Sequence, residues 1–421
     1  MQIILSSANR KDQSAMSWYR WVMAAIAGLL MTTSFISLTS FGILSGRMAS
    51  TFGVTPVVLS VLGIDAFSIG LFAAFFLGQG GIFDARLKTG VLVAQLFLIV
   101  PQFLIPVFHV LYVLVALRFF QGLMIMMLAL FSIQLEGWFP PGERARSLAF
   151  TLGAISLGSA AGGILSGVLT SLSWQESYYI TGIIMVAGAL IYFLFAKDSS
   201  AQRQEIIQAE KAKHKSVWKD PMVILMGLAQ LPLSWVLFSV GGYLSTYSYH
   251  LGYSVSQTGT LIIGWGISGF IAAFVGAVLG DRIAGKRSSN REILKSRLVI
   301  MTVADILMAL GIVLMITTGR LSFYYLLLAA VVNGFLMMFP PNYWALPGNI
   351  FPLAIVSAGA FGMGLISNSA DAIGPLVTSS LLSDLGWNGI FLIMLGLSFL
   401  GILINLIIYR SKIPLPGNDS G

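Results

Sequence analysis

Two stretches decide how this chain is read: GGIFDARLKTG (Gly80 to Gly90) and AVLGDRIAGKR (Ala277 to Arg287). Each follows a long apolar run. Each carries a small residue, an aspartate and then basic residues: Asp84, Arg86 and Lys88 in the first, and Asp281, Arg282, Lys286 and Arg287 in the second. A second pair recurs at a similar offset of about 200 residues: LTSLSWQESYYITG around Trp174 and LLSDLGWNGIFLIMLG around Trp387, each with an aromatic four residues after the tryptophan (Tyr178, Phe391). Two matched pairs in the same order are an internal repeat. A chain of apolar spans built from two repeated halves describes a carrier whose substrate sits between the halves near the bilayer midplane.

Composition sets the solvent. Of 421 residues, 57% are hydrophobic and 10% charged, against roughly 25% charged in a soluble domain. Forty charged residues cannot coat a soluble protein of this size, and the mean hydropathy of +0.88 agrees. Soluble enzymes, secreted domains and nucleic-acid binders are excluded. The long continuous apolar runs call for an all-α integral membrane protein rather than a barrel. There are no cysteines, hence no disulfide and no thiolate metal site.

The apolar pattern predicts twelve spans, near 21–46, 57–83, 90–109, 111–136, 147–173, 177–196, 221–247, 256–280, 296–318, 321–348, 353–383 and 388–409. They group into a polar N-terminal tail (1–20), a six-helix bundle (21–196), a charged linker (197–220), a second six-helix bundle (221–409) and a C-terminal tail (410–421). The first apolar stretch is too long for a signal-peptide core, so it is read as a retained span. With both termini cytoplasmic, 21 of the 24 Lys and Arg residues fall inside, two (Arg47, Arg320) fall outside, and one, Arg118, falls within a span. That bias fixes the expected orientation in a plasma (cytoplasmic) membrane.

At this point the chain resembles the major facilitator superfamily over nearly its whole length. Gly80 to Lys88 matches the family's loop motif loosely, with Ala85 where a basic residue is usual, and Ala277 to Arg287 matches it better. RFFQG (Arg118 to Gly122) resembles the family's membrane-embedded arginine motif. GSAAGG (Gly158 to Gly163) is similar to its Gly-Pro-x-x-Gly-Gly element, with Ser159 in place of the proline. Within the superfamily, EGWFPPGERARS (Glu136 to Ser147), NYWALP (Asn342 to Pro347) and ISNSADAIGP (Ile366 to Pro375) resemble the anion:cation symporter branch. Two positions depart from that branch: span 1 reads SFISLTSFG without its Asp-Arg pair, and Ile125 stands where a glutamate is common. The resemblance implies two bundles related by a pseudo-two-fold axis, alternating access, and a cytoplasmic gate at Asp84, Arg86, Asp281 and Arg282.

A charge near mid-membrane costs at least about 2.5–3.5 kcal/mol on insertion scales, so each one that remains there is a functional candidate. Arg118 lies seven residues into span 4, roughly 10 Å deep at 1.5 Å per residue. Its planar fork suits a carboxylate ligand or a buried acid, the plainer role being a tie to backbone carbonyls. Asp65 in span 2 lies at matching depth, and an Arg118–Asp65 pair is expected. A carboxylate relieved of such a partner takes a proton more readily, which is a basis for proton coupling. Asp371 in span 11 is the second coupling candidate, and Asp305 in span 9 a weaker one. Uncharged substrate-binding candidates are Gln121, Ser37, Tyr243 and Tyr247 (one face at i, i+4), and Asn342, Tyr343 and Trp344 beside the Pro340-Pro341 break. For the tyrosine pair, bundle packing is the plainer reading.

No ATP-binding loop occurs and the three histidines are far apart, so neither an enzyme site nor a cofactor or metal is expected. The expected protein is a monomeric secondary transporter that symports a small organic anion, a carboxylate, with protons. The rival is a proton-driven exporter of drugs or amphipathic metabolites. Nucleic acid is not an expected partner.

Overall fold

The structure is a computed structural model and describes residues 2–78, 86–140, 142–199, 220–351, 355–413 and 415. Among them every regular element is a helix. In chain order these are α1 (Gln2–Met48), α2 (Pro56–Gly78), α3 (Leu87–Leu104), α4 (Leu111–Gly122), α5 (Met126–Glu136), α6 (Arg144–Val168) and α7 (Trp174–Phe195), then α8 (Pro221–His250), α9 (Val255–Ala284), α10 (Asn290–Thr317), α11 (Phe323–Gly334), α12 (Phe339–Trp344), α13 (Pro347–Ile350) and α14 (Val356–Arg410). Among the described residues ten helices are long and apolar enough to cross a bilayer, and Val58–Ala74 within α2 is a shorter apolar stretch. The last of the ten is not straight: α14 is interrupted at Gly386, whose φ of 61° and ψ of 179° only a residue without a Cβ adopts cheaply. The break falls between the two final spans expected from sequence.

Local chemistry explains the helix starts. Ser173 and Glu176 form a reciprocal capping box at the head of α7, Ser254 and Gln257 another at α9, and Ser289 caps α10 by accepting the Glu292 N–H. Asp198, at the start of the expected linker, accepts the Lys88 N–H of α3 at 3.0 Å and the Gln134 amide at 2.8 Å. It thereby supplies the side-chain cap that α3 lacks at its own N-terminus. The expected N-terminal tail continues as helix in α1 from Gln2. Linker residues 200–219 and Asp84 lie outside the described residues.

The helices are apolar on their outward faces. On α10, Val299, Val303, Ile306 and Leu310 are exposed along one stripe, while Met301, Ala304, Asp305, Met308 and Ile312 are buried on the opposite one. A lipid solvent imposes this pattern, because the outer surface needs no polar groups.

The repeat is visible in how two apolar runs break. Residues 111–136 are interrupted by a 3₁₀ turn at Leu123–Ile125, and 323–344 by one at Phe335–Met338, each just after a glycine. The glycines let neighbouring backbones touch. A Cβ on Gly122 would lie 2.1 Å from the Phe67 carbonyl of α2, and one on Gly334 would lie 2.8 Å from the Trp265 carbonyl of α9. Within the first half α1 packs on α6, α2 on α4 and α3 on α7; within the second, α8 and α10 pack on α14. Across the halves α6 meets α9, α2 meets α14 and α1 meets α8.

Gly122→Ala drives a methyl group into the Phe67 carbonyl and forces α2 and α4 apart. Overpacking of this kind costs about 1–3 kcal/mol, so the unfolding midpoint in detergent falls. Gly396→Ala, with nothing within 4 Å of the added Cβ, leaves the midpoint unchanged.

Candidate functional site

Arg118 is completely buried. Its Nε donates to the Gly63 carbonyl at 3.2 Å and its Nη1 to Gln121 Oε1 at 2.8 Å. The guanidinium lies over the rings of Phe41 (4.2 Å) and Phe67 (4.7 Å), a cation–π arrangement worth more when desolvated. Nη2 has no hydrogen-bond partner. Behind the arginine the polar chain continues, because Gln121 Nε2 donates to Gln102 Oε1 at 2.9 Å and Gln102 Nε2 to Thr181 Oγ1 at 2.8 Å. Each amide must present its oxygen toward Arg118 and its nitrogen away. Gln102 and Thr181 thus fix the orientation in which Gln121 accepts from the cation.

The expected Arg118–Asp65 pair does not form. The two residues sit at similar depth, but Asp65 faces the other half of the molecule. Tyr243 of α8 holds its hydroxyl 3.5 Å from Oδ1, and the Ser379 hydroxyl of α14 lies 3.2 Å from Oδ2 and 2.9 Å from the Leu376 carbonyl. Depth along a helix is legible in sequence, whereas the face depends on how α2 rotates against its neighbours. Asp65 is therefore a contact between the halves, and Arg118 is a cation with no acid beside it.

A second contact between the halves gathers on Asp281, near the end of α9. Its Oδ2 accepts the Arg146 N–H (3.0 Å) and Nε (3.2 Å) from α6, and its Oδ1 accepts Nη2 of Arg297 at 3.0 Å from α10. Arg297 also reaches Asn342 Oδ1 at 3.3 Å, and Asn342 Nδ2 donates to the Gly276 and Met338 carbonyls. Of the expected gate residues, Asp281 is engaged. Arg282 and Arg86 are exposed, and Arg146 and Arg297 hold Asp281 instead. Arg297 is wholly buried and stands two turns into α10 rather than at the edge of the expected span 296–318, since that helix begins at Asn290, earlier than the apolar pattern alone indicates. The Ser289-to-Glu292 cap was the available signal. Nearby, Arg144 pairs with Glu136 at 2.7 Å, and Ser132 of α5 donates to the Trp344 carbonyl at 3.1 Å.

The remaining candidates divide. Ser37 is buried and donates to the Ser34 carbonyl of its own helix at 3.2 Å. Tyr247 packs on Trp387 (5.0 Å) and Phe391 (4.9 Å) inside the second half, so the packing reading describes it. Tyr243 and Tyr247 line a small, largely apolar cavity of about 10 Å³ with Thr378 and Trp387. Asn342 is consumed by its three bonds, and Tyr343 and Trp344 are buried. Asp371 is wholly buried on the face of α14 that meets α8. Ser234 stands next to it, but neither carboxylate oxygen accepts a well-formed hydrogen bond. Gln102 and Thr181 escaped sequence reasoning that followed charges. A glutamine inside an apolar span, two of them here with Gln95 and Gln102, was the overlooked cue. Among the described residues no group of His, Cys, Asp or Glu is arranged to hold a metal ion.

Comparison with known proteins gives a consistent picture. The model of the Major Facilitator Superfamily matches residues 21–293. The hexuronate transporter of Bacillus subtilis (strain 168) is 26% identical over 303 residues, covering 68% of this chain and 69% of the relative. The human sodium-dependent phosphate transport protein 4 is 25% identical over 307 residues, covering 65% and 69%. A glucose-6-phosphate exchanger of Bos taurus is 22% identical over 399 residues, covering 80% and 77%. Among solved structures, the human organic anion transporter MFSD10 superposes with a TM-score of 0.72 at 16% identity, over 92% of this chain and 99% of that one.

The ion-pair geometry yields an asymmetric expectation. Asp281→Asn leaves Arg297 buried without its counter-charge, a loss of about 3–5 kcal/mol. Arg146→Ala removes a partner that is itself 38% exposed and costs about 1 kcal/mol or less. Thermal unfolding of the two variants in the same detergent should separate them clearly.

Proposed function

Because the chain belongs to the Major Facilitator Superfamily, a family of multi-pass membrane transporters and not of enzymes, we propose that it is a secondary transporter carrying a small organic anion, a carboxylate, in symport with protons. The observation that carries this reading is Arg118, a fully buried guanidinium with no acid partner and a free Nη2. A cation taken out of water without a counter-ion is costly. An anionic substrate supplies the missing charge, and a carboxylate matches the planar fork. The hexuronate, phosphate and sugar-phosphate names among the relatives support an anion.

In this reading Phe41 and Phe67 wall the cation, and Gln121, held by Gln102, keeps the guanidinium pointed while Nη2 takes the substrate. Asp65 carries the proton. As a carboxylate it accepts from Ser379 and faces Tyr243 across the halves. Charge-assisted bonds of this kind are roughly twice as strong as neutral ones. Protonation weakens the contact, so proton arrival and loosening of this end of the molecule become one event. The Arg146–Asp281 contact is the tie at the other end. Asp371, buried and poorly bonded, is the second residue that can carry a proton. We further take residues 21–196 and 221–409 as the two moving bundles, the Lys and Arg asymmetry as placing both termini in the cytoplasm of a plasma-membrane monomer, and Asp84 and Arg86 as the first-half counterpart of the Asp281 tie.

The second reading, proton-driven export of amphipathic compounds, draws on the apolar cavity beside Tyr243, Tyr247 and Trp387. Purified protein in liposomes under an inward proton gradient separates the two when offered hexuronates, other carboxylates, phosphate, sugar phosphates and cationic amphiphiles. Anion accumulation is expected. Arg118→Ala should lower apparent affinity about 30-fold or more, as for any truncated buried charge pair. Gradient-driven expulsion of amphiphiles without anion flux would sink the symport reading. Asp65→Asn should keep anion counterflow and lose proton-driven accumulation, and accumulation that survives assigns the proton elsewhere.

A further inference from the structure

Asp305 takes no part in the contacts above, yet it is a wholly buried acid in the middle of α10. Its one hydrogen bond comes from Asn405 on the second arm of α14, whose Nδ2 donates to Oδ2 at 2.8 Å. Two acceptors of this pair have no donor, Asp305 Oδ1 and Asn405 Oδ1. Gly401, one turn before Asn405, closes the wall, since a Cβ there would lie 3.0 Å from Oδ2.

Among the described residues no salt-bridge partner reaches Asp305. On α10 the nearest charged residue is Arg297, eight positions away or roughly 12 Å along the axis, and it is committed to Asp281. The second arm of α14 from Trp387 to Tyr409 carries no charged residue, and neither do α11, α12 and α13. On α9 the charges are Asp281 and Arg282, at its far end, and on the first arm of α14 they are Asp371 and Asp384. An ionised Asp305 would thus rest on one neutral amide, with two oxygens starved of donors. Rotating the Asn405 amide by half a turn brings no relief, because it sets the amide oxygen against Oδ2 instead.

One proton resolves both deficits. A carboxylic acid has one O–H donor and one carbonyl acceptor, and a primary amide has the complement. We propose that Asp305 is a proton-binding site outside the transport path: it stays a neutral acid, its Oδ1–H donates to Asn405 Oδ1 while Oδ2 accepts from Nδ2, and the resulting two-point ring clamps α10 to the second arm of α14. The proton is a fixed part of the fold and does not travel with the substrate.

The ring makes a specific statement about substitutions. Asp305→Asn replaces acid–amide by amide–amide, which has the same two donors and two acceptors and nothing to ionise. Asp305→Leu and Asn405→Leu each leave one member without its complement. Infrared difference spectra of the full-length protein in lipid nanodiscs near neutral pH, wild type minus Asp305→Asn, should show the carbonyl stretch of a protonated carboxyl, shifted in deuterated buffer. Thermal midpoints should be unchanged in Asp305→Asn and lowered in both leucine variants. Loss of a carboxylate band with no protonated-carboxyl band would overturn the inference. So would an Asp305→Asn variant that keeps substrate counterflow but no longer couples it to protons. The spectrum and the midpoints do not depend on which substrate is carried, so failure of the anion-symport reading leaves this test intact.

Discussion

Hydrocarbon offers no hydrogen bonds, and every polar group the chain takes into the membrane must find its partner within the protein. The described residues meet this constraint in graded ways. Asp281 has two arginines. Arg118 has a carbonyl, an amide and two aromatic faces, but no acid. Asp305 has an amide alone. The ranking tracks what each group can do. The fully compensated aspartate holds elements together, the under-compensated cation keeps an unpaired donor, and the acid without a cation keeps two oxygens short of donors around it.

The internal repeat has a physical counterpart that depends on the same constraint. Gly122 and Gly334 each end a helix at a 3₁₀ turn, where two backbones approach too closely for a side chain. Tight backbone contact suits lipid, where packing rather than water exclusion drives helix association. The halves diverge in what they place beside these turns. In the first, Arg118 and Gln121 precede the glycine. In the second, Ala330 and Asn333 occupy the matching positions, and Asn333 Oδ1 accepts from the Trp265 indole at 3.1 Å. A symmetric scaffold thus carries an asymmetric charge.

The all-helical membrane architecture was legible in sequence, because composition and span length are one-dimensional. Partner choice was not. The depths of Asp65 and Arg118 match, yet their helices present them in different directions, and no count of residues supplies a rotation angle. Arg297 fell at the very edge of its expected span because the polar first turns before it lower local hydropathy, although the Ser289 cap marks the true helix start. Gln102 was passed over because an uncharged residue in an apolar run raises no alarm until its neighbours are known. Asn342 and Tyr247 drew notice as polar groups in apolar spans, and the structure engages them in internal bonds and packing.

Between α6 and α9 the halves meet through small residues. A Cβ on Gly266 would lie 2.5 Å from the Ser156 carbonyl, and one on Gly153 would lie 3.0 Å from the Ala273 methyl. Larger side chains flank this close approach: the Phe150 ring of α6 meets the Phe274 ring of α9 edge-on at 4.9 Å. In the rocking motion proposed above, this close approach is the natural fulcrum. Resistance to tilting then resides at the lever ends, in the Asp65 contact on one arm and the Asp281 contact on the other. A hinge of this kind is tuned by single hydrogen bonds far from it, and a bulky residue set into the seam would jam it in whichever position it was caught.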